Sequence, residues 1–253
     1  SYFMLLAYAT TLSVVSFVAD LDAWLVTLLL LVVPTLFMAT KIKSNTLFYG
    51  TVIWFAFSAT VLWEAVGYAQ GLWYGISVFD WRVFGLFPVE SFLWTFSLLL
   101  FTIVSHEFFT DDKTVRFHFD VLLHRWLIWF SLAICFLGVL MATVLLRVVV
   151  SNAYALLILL TVSSLAGAFL FARARGGAVL AKAGISTLLV LPVLLMQAVL
   201  SITNVHTVFA NPNQYLASIS FLGELIPVEF LFFLAFVPVW VISVYEWYLD
   251  DGR

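Results

Sequence analysis

Two short motifs carry the chemistry this sequence offers: Pro88-Val89-Glu90 and Pro227-Val228-Glu229. Each sets a carboxyl group two residues beyond a proline, at the head of a long apolar run. Proline followed by glutamate is also an ordinary helix start, where the helix dipole favours negative charge. Two features speak for more than that. The motif occurs twice at equivalent positions, and each copy falls at the edge of a stretch long and apolar enough to lie in hydrocarbon, where burying an ionisable group is costly. There the dipole favours the carboxylate while desolvation favours the neutral acid. If the two glutamates also face each other, like-charge repulsion leaves one of them holding a proton. A carboxylic acid that faces an apolar, aromatic-lined cavity is suited to protonating an alkene and holding the carbocation that follows.

The two copies belong to a longer self-similarity with an offset of 139 residues. Phe87-Pro88-Val89-Glu90 matches Ile226-Pro227-Val228-Glu229, Glu107 matches Glu246, and Asp111-Asp112 matches Asp250-Asp251. Gly85 precedes the first motif and Gly223 the second, with one residue of slippage. Glu107 lies 17 residues after Glu90. At about 1.5 Å per residue that separates them by about 25 Å, nearly the thickness of a bilayer core. Glu107, Glu246 and the aspartate pairs are therefore expected to form a polar rim at the opposite face.

The elements that must position these residues are membrane helices. Of the 253 residues, 64% are hydrophobic and only 10% charged, against roughly 25% charged in an average soluble domain. The mean hydropathy of +1.14 excludes a soluble enzyme. With 11 basic and 14 acidic residues no basic surface for nucleic acid is expected. The apolar residues come in continuous runs, such as 25–37 and 126–146, not in the alternation of a barrel, so the spans are helical. Eight runs qualify: about 2–18, 24–40, 46–65, 84–105, 126–147, 152–171, 184–204 and 225–246. Asp20–Ala23 joins the first two as a hairpin, and Pro34, Pro192 and Pro238 should kink their spans. The first run shows no cleavable signal pattern, and the single Cys135 reads as a small core hydrophobe. The expected fold is an all-α integral membrane protein with about eight transmembrane helices in two parallel four-helix repeats, 1–112 and 113–253.

Charge gives the orientation. With eight spans, one side carries Lys41, Lys43, Lys113, Arg116, Arg125, Arg173, Arg175, Lys182 and Arg253, the other only Arg82 and Arg147. That bias places both termini in the cytoplasm. On the outer side, the connection 66–83 is unusually aromatic: from Trp63 to Trp94 come Tyr68, Trp73, Tyr74, Phe79, Trp81, Phe84, Phe87 and Phe92. An interfacial aromatic belt is one reading. The other is a wall for a long apolar ligand that forms a cation.

At these residues the sequence resembles the membrane-embedded lycopene cyclase domain of bacteria, archaea and fungi. That family is a duplicated helical protein with a Pro-x-Glu-(Glu/Asp) motif and an aromatic run in each half. Here the halves read Pro88-Val89-Glu90-Ser91-Phe92-Leu93-Trp94 and Pro227-Val228-Glu229-Phe230-Leu231-Phe232-Phe233. Trp63-Glu64, Gly71-Leu72-Trp73-Tyr74 and Asn211-Pro212-Asn213-Gln214-Tyr215-Leu216 are similar in style to the stretches before the family's motifs. The sequence departs from the family at Ser91 and Phe230, where the family carries its second acid. The resemblance covers nearly the whole chain. It implies an intramolecular, redox-neutral cyclisation of lycopene or a related C40 or C50 carotenoid in a prokaryotic cell membrane, with no cofactor and no metal. Association with other carotenoid proteins is also implied. Glu90 or Glu229 would donate the proton, and Glu64 or the other motif glutamate would take one back. Trp63, Trp73, Tyr74, Phe92, Trp94, Phe232 and Phe233 would line the substrate.

Two other classes remain open at this point. A non-catalytic member of the same fold would bind a carotenoid or stabilise a partner in the membrane, and Ser91 and Phe230 feed that alternative. A small transporter would need a polar path, yet 95–102 and 234–241 carry no ionisable group. A metal site among His106, His118, His124, Glu107, Asp111, Asp112 and Asp120 fits no tight ligand spacing, and a solvated loop is the plainer reading. Asp111-Asp112 lacks the partner pair that magnesium–diphosphate chemistry needs. Gln197 reads as an interhelical hydrogen-bond group and His206 as interfacial polarity.

Overall fold

A computed structural model describes residues 2–44, 46–70, 72, 74–75, 79–83, 85, 87–111, 129, 132–133, 136, 176–203, 207–208, 215–221 and 223–248. The chain is mostly helical. Helix α1 spans Tyr2–Val18. After a tight turn, Asp22 caps α2, Ala23–Thr27, by accepting the Trp24 N–H at 2.8 Å. The helix then widens into a π-turn, Leu28–Val32, before α3, Val33–Ala39. The reason lies in Pro34, which brings no N–H to the ladder: the widened register just ahead of it accommodates the missing donor. Tyr8 donates to the Leu29 carbonyl at 2.8 Å and ties α1 to this broken helix, as the expected hairpin requires.

Helix α4 covers Thr46–Gln70 and α5 covers Val89–Phe109. Later come α6, Gly176–Thr203, and α7, Val228–Tyr248. Pro192 and Pro238 lie inside α6 and α7, which continue through them. Three of these helices, over Val89–Phe109, Gly177–Thr203 and Val228–Glu246, are long and apolar enough to cross a membrane. Helices thus occupy six of the eight expected spans. Of the other two, 126–147 is described only at Trp129, Leu132, Ala133 and Phe136, all exposed, with Cys135 outside the described residues; 152–171 lies wholly outside them.

The element boundaries differ from the sequence expectation at the motif ends. Gly85, Phe87, Pro88 and residues 225–227 are not helical. They belong to short antiparallel pairs: β2 (Arg82–Val83) with β3 (Phe87–Pro88), and β5 (Ser218–Phe221) with β6 (Glu224–Pro227). A third pair, β1 (Tyr74–Gly75) with β4 (Thr207–Val208), joins the connection after α4 to the one after α6. Hydropathy cannot separate a buried strand end from the helix it feeds.

The core forms where α4 packs on α5, α6 on α7, and α5 against both α6 and α7. Leu30, Phe48, Phe101, Val193, Leu194 and Tyr245 are among its buried side chains. Exposed Leu28, Val33, Leu36, Phe37, Leu188 and Phe232 face outward. Apolar surface on both sides of a helix is what a lipid solvent permits and water does not.

Candidate functional site

Each motif glutamate is set by the hairpin that precedes its helix. The turns need Gly85 and Gly223, which adopt φ of +69° and +89°. That left-handed region is open to glycine without a steric penalty. The proline then ends each second strand. It has no N–H to extend the ladder, so the next residue takes over: Val89 N–H donates to Trp81 O at 3.0 Å, and Val228 N–H to Ala217 O at 3.0 Å. The same valine is the first helical residue. The prolines therefore stand just outside the helices, with Pro88 as the cap residue in extended conformation (φ −62°, ψ 145°), one position earlier than the sequence suggested.

Glu90 and Glu229 follow as second helical residues. Both side chains are buried, at 0% and 3% exposure, so neither is a surface helix-start charge. Each folds back on its own hairpin: Glu90 Oε1 accepts the Phe79 N–H at 2.9 Å, and Glu229 Oε1 accepts the Leu216 N–H. Asp80, next to Phe79, has φ of +54°, a conformation aspartate tolerates better than most residues. Glu229 Oε2 is buried with no hydrogen-bond partner among the described residues. Tyr215 donates from its phenol to Leu72 O and so ties the two connections together a second time. Burial, and then the Glu229 carboxylate, push the Tyr215 phenol above its ordinary range.

Below the glutamates the helices present aromatic rings. Trp63 on α4 meets Phe233 on α7 edge to face at 4.6 Å, and Phe233 stacks on Phe230 at 6.3 Å. Phe92 meets Phe57 at 6.0 Å and Phe96 at 6.3 Å. Glu64 is half-buried beside Trp63 in sequence. Trp94 donates from Nε1 to Gln197 Oε1 at 3.1 Å, and Gln197 Nε2 donates onward to Thr27 Oγ1 at 3.0 Å and Ser201 Oγ at 2.8 Å. Gln197 is thus an interhelical junction, and it holds the Trp94 indole. Among the expected lining residues, Phe232 stands apart: it is 53% exposed on the surface of α7. Trp73 lies outside the described residues, and Tyr74 is described only as backbone in β1. Farther along, α4, α5 and α7 enclose an apolar cleft lined by Val52, Phe55, Leu99, Ile103, Trp240 and Tyr245.

At the opposite ends of α5 and α7 the two glutamates do not stand in the expected polar rim; Asp111 is partly exposed, and Asp250 and Asp251 lie outside the described residues. Glu107 and Glu246 are buried, as is His106. His106 Nε2 lies 2.5 Å from Glu246 Oε1, while Tyr245 donates from its phenol to Glu107 Oε1. The offset of 139 maps His106 onto Tyr245 and Glu107 onto Glu246, so the equivalent pairs exchange partners between the two helices. That offset, applied to the residue before each glutamate, was the available signal. Sequence reasoning missed it because it placed these residues in solvent. His206, Asp112, His118, Asp120 and His124 lie outside the described residues. Set beside known proteins, the chain matches no family model, no curated protein and no solved structure.

Proposed function

We propose that this protein is a carotenoid end-group cyclase of the lycopene cyclase type. In this reading it is built from two four-helix repeats, 1–112 and 113–253, in a prokaryotic cell membrane with both termini cytoplasmic. The observation that carries the reading is the pair of buried glutamates at equivalent helix starts. Each has one oxygen accepting a backbone N–H, with aromatic rings on the helix turns that follow. At Glu229 the hydrogen bond fixes Oε1, and the buried Oε2, without a hydrogen-bond partner among the described residues, is where the acid form would carry its proton.

The chemistry is an isomerisation. A motif glutamate in its acid form adds its proton to the terminal alkene of a linear carotenoid, leaving a tertiary cation. The electron pair of the neighbouring double bond attacks that cation, a carbon–carbon bond forms, and a six-membered ring closes with the charge moved inside it. Loss of a ring proton to a carboxylate, Glu64 or the other motif glutamate, restores a double bond. No electron is gained or lost, and no cofactor is needed. Ring faces of Trp63, Phe92, Trp94 and Phe233 would stabilise the cation. Burial of Glu90 and Glu229 limits the access of water that would quench it.

A second reading has its own observation. Ser91 and Phe230 follow the motif glutamates where the family carries a second acid. That substitution favours a protein that holds a carotenoid, or steadies another carotenoid protein, without turning it over. Expression in a bacterium that accumulates lycopene separates the two. Monocyclic or bicyclic carotene in the extracted pigments establishes the cyclase. Unchanged lycopene with the protein present in the membrane and carrying bound pigment establishes the binder.

A further inference from the structure

The polar cluster at the far ends of α5 and α7 contains a contradiction that a cation resolves. Ser186 Oγ donates its proton to Thr110 Oγ1 at 2.9 Å, so its contact with His106 Nδ1 at 2.7 Å must be accepted from an Nδ1–H. A neutral His106 then points a bare Nε2 lone pair at Glu246 Oε1, 2.5 Å away, and a carboxylate oxygen also only accepts. Asp111 Oδ2, a third acceptor, lies 4.0 Å from the same nitrogen. The ligand atoms of His106, Asp111 and Glu246 all fall within 4.8 Å of one another. Three acceptors converge there, and a positive charge belongs among them.

A proton and a divalent metal ion are the two candidates, and the convergence of three ligand atoms from His106, Asp111 and Glu246 favours the metal. Among the described residues, the buried and half-buried acids and amines at this end, besides His106 and the Tyr245 phenol, are Glu107, Asp111 and Glu246 against Lys182. With a neutral imidazole they sum to two negative charges. A divalent cation is the complement of that charge among the described side chains. Lys182 Nζ stands 3.6 Å from Asp111 Oδ2 and 3.7 Å from Glu246 Oε2, beyond hydrogen-bond length, and so acts as an outer charge.

We propose that His106 Nε2, Asp111 and Glu246 bind a divalent transition-metal ion of the zinc type. One imidazole and two carboxylates suit such an ion better than calcium, which takes oxygen ligands. Bonds of about 2.1 Å require ligand atoms roughly 3.4 Å apart, so His106 Nε2 and Glu246 Oε1 part from 2.5 Å as the ion enters, and Asp111 closes in from 4.0 Å. Ser186 acts as the outer partner that fixes the tautomer, the usual arrangement for a metal-bound histidine. Tyr245 packs edge-on against the imidazole at 6.2 Å and limits its rotation. Asp111 and Lys182 are partly exposed, which gives the ion a path in from one face. Three protein ligands leave a fourth position for water. The site is independent of the cyclase reading, and its test does not use turnover.

The experiment is zinc chloride titration of the purified full-length protein, after chelator treatment, by calorimetry and by thermal melting in detergent. We expect one saturable site per chain and a rise in melting temperature on loading. Cobalt in place of zinc should give the visible absorption of an ion held by nitrogen and oxygen. His106→Gln with Glu246→Gln should abolish binding, and Ser186→Ala should weaken it 10- to 100-fold. Absence of a saturable site in the wild-type protein overturns the proposal, and so does a site whose affinity is the same after Ser186→Ala. The serine variant keeps the test decisive if the double variant does not fold.

Discussion

At one end of α5 and α7, each glutamate takes its hydrogen bond from the hairpin that leads into its own helix. At the other end, seventeen residues on, His106 turns to Glu246 and Tyr245 to Glu107, so each helix depends on the opposite one. The motif end is locally wired. Its carboxyl groups are positioned by a turn, a proline and a backbone N–H, all within 14 residues of sequence. The far end is wired across the molecule. This difference separates a place where geometry can be set for chemistry from a place where two helices are riveted together.

Substitutions can break the comparison or sharpen it. The largest effect is expected from Glu90→Gln, which keeps the shape and removes the proton that the proposed cyclisation requires. Carotene formation in lycopene-accumulating cells should fall 100- to 10,000-fold with membrane levels of the protein unchanged. Full conversion by that variant would remove Glu90 from the mechanism. At the far end the expected loss is in stability. Glu246→Leu removes the carboxyl group that faces the buried His106, and a polar group left buried without a partner costs about 1–3 kcal/mol. A melting temperature unchanged in detergent would show that the contact is not a rivet.

Smaller effects test the local wiring. Gly223→Ala meets no atom within 4 Å, so its cost is the left-handed backbone alone, about 1–2 kcal/mol. Its effect should appear at Glu229 and not at Glu90. That is checked by combining it with each glutamine variant and looking for additivity. Tyr245→Phe is the mildest. A single hydrogen bond between membrane helices contributes roughly 0.6 kcal/mol and at most about 1.7. A double-mutant cycle with Glu107→Gln should return a coupling of that size. A coupling of zero would mean that the exchange is geometric and carries no energy.

The two ends also differ in how far the sequence discloses them. The glutamates, their prolines and the paired glycines repeat at one offset, and repetition against an apolar background is easy to see. The broken helix before Pro34 was foreseen as a kink, but its π-turn was not, because hydropathy carries no register. The strands at 87–88 and 224–227 were hidden for the same reason: Phe87, Ile226 and the prolines are as apolar as the helices they introduce. The far end was misplaced because charge was taken as a sign of solvent. His106, Glu107 and Glu246 are charged or polar yet buried, since each finds its partner more than 100 residues away. No local pattern records such a pairing.

The exchange has a consequence for how the molecule can be assembled. Two identical copies of the first half, placed face to face, would bring His106 to Glu107 twice; two copies of the second would bring Tyr245 to Glu246 twice. The single chain holds one contact of each kind. One corner of the helix pair therefore carries an imidazole with Lys182 nearby, and the other a phenol against a carboxyl. Only unequal halves joined together can give one face of the bundle a left and a right.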